Sequence, residues 1–372
     1  MDLSKKKKYF LSACIILSAI FSHISLNGSD RRSFFGEPLF PSLKEKETET
    51  DPDIEDIIEN DLKTKELVYA ISIVDEGTLL SSYSSVGYRY GPSIMRNEDG
   101  SLDIWFSAPG NNSTEWDWIT YRHSDDGENW SREQTVLRPT PYSSDRCSVC
   151  DPGLIYFNGY YYLGYTSTSD SARDGFNNSA FVARSENPNG PFEKWNGTSW
   201  GGDPEPIIKY EGDPDGWGIG ELSFVIKDDD LFIYYTYFDK NGGYTGLQKA
   251  DLVENWPSTM RYKGKVCLRE NQDSLDVVYV EELDTFWAFS IDMRMAEVSR
   301  LIMYESKNGK DFEEMDTTKT NIQPYAHNLG ITKDRQGHIS VDDDLYICYG
   351  FGRGWGKWSS ILQKIEVVYN FK

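Results

Sequence analysis

SVCDPGLIYFNGYYYLGYTS, residues 148–167, decides the fold. From Leu154 it reads as a β-hairpin: an apolar strand, the turn Phe157-Asn158-Gly159, then an aromatic-rich strand. Asn-Gly between β-formers is the strongest short-range hairpin signal. Asp151-Pro152 comes just before it. Proline lacks a backbone donor and belongs at a strand start or on an edge. A carboxylate therefore stands at the mouth of an otherwise apolar strand.

The same pattern recurs along the chain. GPSIMRNEDGSLDIWFSAP starts at Gly91, ELSFVIKDDDLFIYYTYF at Glu221, DVVYVEELDTFWAFSID at Asp276 and NLGITKDRQGHISVDDDLYICYGFG at Asn328. With Asp151 included, consecutive starts lie 60, 70, 55 and 52 residues apart. A third strand and turn follow in most units, with Ser124, Ser185, Ala250 and Ser306 in the same place. Short strands repeated at this period, without helical periodicity, predict an all-β fold: a β-propeller of five four-stranded blades. Leu67–Val74 supplies the outer strand that closes the ring. A β-sandwich is the alternative. In a propeller the first strand of each blade lines the channel, so the unit starts form a ring around one cavity: Gly91, Asp151, Glu221, Asp276 and Asn328.

The rest of the chain sets the address. Lys5–Lys8 and the apolar run Tyr9–Leu26 read as an export signal, so residues 1–28 are a signal peptide or signal anchor. Leu11-Ser12-Ala13-Cys14 resembles a lipobox, although most of the apolar run follows it. Residues 29–66 are acidic and read as a solvated spacer before the propeller domain, 67–372. A net charge of −22 argues against nucleic acid or an anionic bilayer as partner. The expectation is a monomer, secreted or tethered at the cell surface, that meets the membrane only through its N-terminal segment. Cys147-x-x-Cys150 has neither a second CxxC nor paired histidines, which argues against zinc.

Three acidic residues converging on one concavity either bind a cation or water, or perform paired-carboxylate chemistry. Like charges close together split their pKa values, supplying a general acid beside a base. Glycosidic hydrolysis requires that arrangement and no cofactor. Tyr90, Trp217 and Trp355 are candidate platforms for a carbohydrate, the two tryptophans because they sit in glycine-rich loops. Arg353 shares the loop of Trp355.

These features resemble the five-bladed propeller glycosidases of glycoside hydrolase family 43 and its relatives. The resemblance rests on the five repeats, Asp151-Pro152, the strand starting at Glu221, and His327 before the fifth repeat. It implies that Glu221 is the general acid and that Asp151 orients and tunes it. It also implies that His327 helps hold a central water or a structural calcium. One departure is large: Gly91-Pro92 stands where the family has Asp-Pro. Asp276 or Asp145 could replace the missing base. Alternatively, Tyr90 could act with Arg89 and Arg146 on an acidic sugar, the arginines gripping its anionic group. The remaining alternative is a propeller that binds glycan without cleaving it.

Overall fold

The computed structural model describes residues 67–371 except 113, 174, 268–273 and 316–319. The leader (1–28) and nearly all of the acidic spacer lie outside the described residues. Regular structure is almost entirely β.

Each repeat pair read from the sequence is an antiparallel pair of strands, and each pair sits in a run of four. The second run contains Cys150–Phe157, Tyr160–Ser167, Ser179–Ser185 and Glu193–Lys194. The third contains Gly218–Lys227, Asp230–Asp239, Gly242–Asp251 and Arg261–Lys265. The fourth contains Asp276–Val280, Thr285–Asp292, Arg300–Ser306 and Glu313–Glu314. The first and last runs share a nine-stranded sheet. One begins Tyr90–Arg96, Leu102–Asn112; the other begins Ala326–Lys333, Leu345–Phe351. They meet where Thr332 and Lys333 pair in parallel with Ile94 and Met95.

Leu67–Ile73 pairs antiparallel with the C-terminal strand Ser359–Phe371, so the two ends of the domain share one sheet. Ile71 is fully buried there. Removing residues 1–74 is expected to lower the thermal unfolding midpoint, because it strips the partner from a long C-terminal strand. Removing 1–60 is expected to leave the midpoint unchanged. Melting curves of the two truncations check this.

Five apolar cores lie between successive runs. Trp105 and Met95 pack against Leu154 and Tyr165, and Tyr162 packs with Phe224 and Ile233. Val225 and Tyr234 pack with Val277 and Phe286, and Trp287 and Phe289 with Ile331 and Ile347. The fifth joins last to first: Cys348 and Leu362 with Ile94 and Phe106. The inner strands approach so closely that a Cβ on Gly153 would stand 1.9 Å from Leu222 O. Only glycine fits there.

The turn after the last inner strand crosses the far end of these strands. The N–H groups of Tyr156, Ile226 and Tyr279 donate to the carbonyls of Arg335, Gln336 and Gly337 at 2.8, 2.9 and 3.0 Å. Three consecutive carbonyls thus engage three successive runs.

Candidate active site

At the opposite end, five residues adopt left-handed backbone: Gly91 (φ 55°), Asp151 (48°), Glu221 (53°), Ser274 (51°) and Asn328 (41°). In four units a register shift falls at this point, between Tyr90 and Ser93, Cys150 and Gly153, Gly220 and Ser223, and His327 and Leu329. An extra residue in one strand of a pair re-aims a side chain. At three of these positions a hydroxyl on the preceding run accepts from the backbone N–H. Asp151 N–H donates to Ser107 Oγ (2.8 Å), Glu221 N–H to Thr166 Oγ1 (2.9 Å) and Ser274 N–H to Thr236 Oγ1 (3.0 Å).

The fourth member of the ring is therefore Ser274, and Asp276 lies two residues deeper. Asp276 accepts from Ile331 N–H (2.9 Å), Ser223 Oγ (2.8 Å) and Lys333 Nζ (2.6 Å). Its carboxylate is engaged by these three donors and is not among the residues lining the aromatic cavity described below. Asp145 is fully buried and bound by Lys194 (2.5 Å), Tyr165 and Ser143, away from the cavity.

Asp151 and Glu221 do converge. The side-chain amide of Asn328 donates to Asp151 Oδ1 at 3.1 Å and to Glu221 Oε1 at 2.9 Å. Two oxygens sharing one nitrogen lie within about 6 Å of each other. Ser274 N–H donates to Glu221 Oε2 at 3.0 Å. Arg294 donates to Asn328 Oδ1 at 2.9 Å and stands 3.7 Å from Glu221 Oε1. Burial pushes the Asp151 carboxyl above its ordinary range. Two carboxyls bridged by one amide nitrogen are close enough to titrate as a pair rather than independently.

Above the pair opens a cavity of about 380 Å³. Tyr88, Tyr90, Trp116, Trp217, Trp355 and Trp358 contribute its aromatic walls. Trp355, at 66 % exposure, forms an open platform. Tyr90 stays a neutral phenol, because burial and then the Asp117 charge push its pKa up.

His327 lines the cavity, buried and stacked on Trp358 (ring centroids 4.3 Å apart). Burial, with the Arg294 charge nearby, pushes its pKa well down, so the ring is neutral. Among the described residues no group of three or more His, Cys, Asp or Glu side chains could hold a metal ion. With an arginine beside the histidine, the residues present do not suit calcium.

The remaining arginines are placed elsewhere. Arg89 is buried, forked onto Glu133 at 2.6 and 2.9 Å and bonded to the carbonyls of Val86 and Tyr88. Arg146 is exposed and outside the cavity lining. Arg353 pairs with Glu297 (2.8 Å) and Tyr325 on an exposed loop. The cation that does reach the site is Arg294, and a third carboxylate, Asp117, lines the same wall as Trp116. Sequence reading passed over both. Arg294 sits in an irregular loop, and Asp117 looks like the polar half of an alternating strand; its place between Trp116 and Trp118 was the available signal.

No family profile and no curated protein matches this sequence. Solved structures do. A family 117 glycoside hydrolase produced by the marine bacterium Zobellia galactanivorans superposes with a TM-score of 0.55 and 17 % identity, covering 82 % of this chain and 90 % of that one. The chain shares its fold with glycoside hydrolases. An α-L-arabinofuranosidase from Podospora anserina, in complex with cellotriose, matches with a TM-score of 0.53 and 11 % identity, covering 81 % and 96 %. An endo-arabinase from Bacteroides thetaiotaomicron matches with a TM-score of 0.52 and 13 % identity, covering 77 % and 97 %.

Within this glycoside-hydrolase fold the glycine at 91 is not a vacancy. A Cβ there would stand 2.8 Å from Asp151 Oδ1 and 3.2 Å from its Cα, at a φ of 55° that side chains resist. Gly91→Asp is therefore expected to displace Asp151 and to destabilise the fold by about 1–3 kcal/mol, rather than to restore a base. Urea unfolding of the variant checks it; unchanged stability would mean the crowding is relieved.

Proposed function

We propose that this protein is an exported glycoside hydrolase, a five-bladed propeller closed by the strand Leu67–Ile73, that acts on oligo- or polysaccharides. The observation that carries this reading is the Asp151–Glu221 pair, bridged by one amide at the floor of an aromatic cavity. A pair holding one proton is a general acid, and it would protonate the leaving glycosidic oxygen. The aromatic walls supply faces for sugar rings, and the ring hydroxyls meet Asn328 and Arg294. The leader makes export part of the proposal, and the acidic spacer would hold the domain clear of a surface.

Shared fold at low identity supports only the reaction class. The test is release of reducing sugar from a panel of plant and algal oligosaccharides and 4-nitrophenyl glycosides. No release from any member would sink the enzyme reading. A non-catalytic glycan-binding propeller is the second reading, favoured by the absence of a carboxylate at position 91. It expects sugar binding by calorimetry with no turnover.

A further inference from the structure

In a single-displacement hydrolysis, the acid that protonates the leaving oxygen needs a separate carboxylate that activates water. In a single-displacement hydrolysis the two carboxyls stand about 6.5–9.5 Å apart to admit the water. The pair, within about 6 Å through one amide nitrogen, is too close for that. Gly91 offers nothing, and Asp276 and Asp145 are committed elsewhere. Three carboxylates line the described cavity: Asp151, Glu221 and Asp117.

We propose that Asp117 is the general base of this site. This rests on the glycoside hydrolase reading. Asp117 lies on the third strand of the first run, Glu115–Ser124, whereas Glu221 comes from the third run, with the second run between them. Both line the same cavity. The Asp117 side chain is held from two sides. Tyr88 Oη donates to Oδ1 and Ser148 Oγ to Oδ2, each at 2.7 Å. Hydrogen bonds of this kind fix the orientation of a carboxyl group.

The step balances. Asp117 takes a proton from a water molecule as the water oxygen bonds to the anomeric carbon. The bond from that carbon to the leaving oxygen breaks, and the leaving oxygen takes the proton held by the Asp151–Glu221 pair. Solvent then removes the proton from Asp117 and returns one to the pair. The anomeric configuration inverts.

The experiment compares wild type, Asp117→Asn, Asp117→Ala and Glu221→Gln on 4-nitrophenyl glycosides and on the natural oligosaccharides cleaved. Losing the base slows both substrate types, so Asp117→Asn is expected to fall at least about 100-fold on each. Losing the acid spares good leaving groups, so Glu221→Gln is expected to retain far more activity on the nitrophenyl substrates. Azide added to Asp117→Ala is expected to restore turnover with a glycosyl azide of inverted configuration as product. That rescue needs an intact cavity and so separates a lost base from a lost fold. If Asp117→Asn keeps wild-type rates while Glu221→Gln loses activity on natural substrates, Asp117 is not the base and the hydrolase reading stands. A folded Asp117→Ala protein that stays inactive with azide also overturns the assignment. If wild type cleaves nothing, the hydrolase reading fails and takes this one with it.

Discussion

Glu221→Gln is expected to lower hydrolysis of unactivated glycosides by at least about 100-fold while leaving sugar affinity within a few-fold of wild type. Glutamine keeps the shape, and its side-chain oxygen can still accept from Asn328 or Ser274. What disappears is a titratable partner for Asp151, and with it the shared proton. The pH dependence follows from the direction of the Asp151 shift. Burial raises that carboxyl's pKa, so the protonated pair persists above the ordinary carboxylate range. Activity that needs this proton is present below the pair's upper pKa and is lost as pH rises through it. Rates of the purified variant across pH, with calorimetric binding of the same oligosaccharide, check both halves. Wild-type turnover in Glu221→Gln would end the assignment of the pair.

Asp276→Ala should produce the largest loss of stability. Lys333 is 2 % exposed, with Asp276 Oδ1 2.6 Å from its ammonium. Deleting one partner of a buried ion pair leaves an uncompensated charge, which costs about 3–5 kcal/mol. The same change also strips acceptors from Ile331 N–H and Ser223. Replacing both partners, as Asp276→Leu with Lys333→Met, is expected to recover much of that loss, since apolar substitutes are often tolerated where single deletions are not. Urea unfolding of the three proteins checks this. A stable Asp276→Ala protein with lost turnover would return Asp276 to the chemistry.

These expectations mark where residue patterns stop being informative. The strands were legible because alternation and Asn-Gly turns are local. Asp151, Glu221 and Asn328 were legible because the repeat brings equal positions to equal places. The fourth unit broke that rule. Its apolar strand begins at Asp276 in the sequence, whereas the backbone puts Ser274 at the equivalent position, and a serine carries no chemical signal. Arg89, Asp145, Arg146 and Arg353 misled for a different reason. A charged residue near a motif can point to a cavity or to an ion partner far along the chain, and Glu133, Lys194 and Glu297 took three of the four. Asp117 and Arg294 reach the cavity from a third strand and from a loop, outside the column of unit starts.

The turn at Arg335–Gly337 has a consequence for traffic. Its carbonyls bridge the far ends of three inner strands, and the described approach to the carboxylate pair is the aromatic cavity at the other end. If the site cleaves glycan chains as proposed, both fragments would leave through that cavity. The fragment on the floor would then wait behind the one nearer the rim, and free sugar in solution would compete with the next substrate for the same doorway.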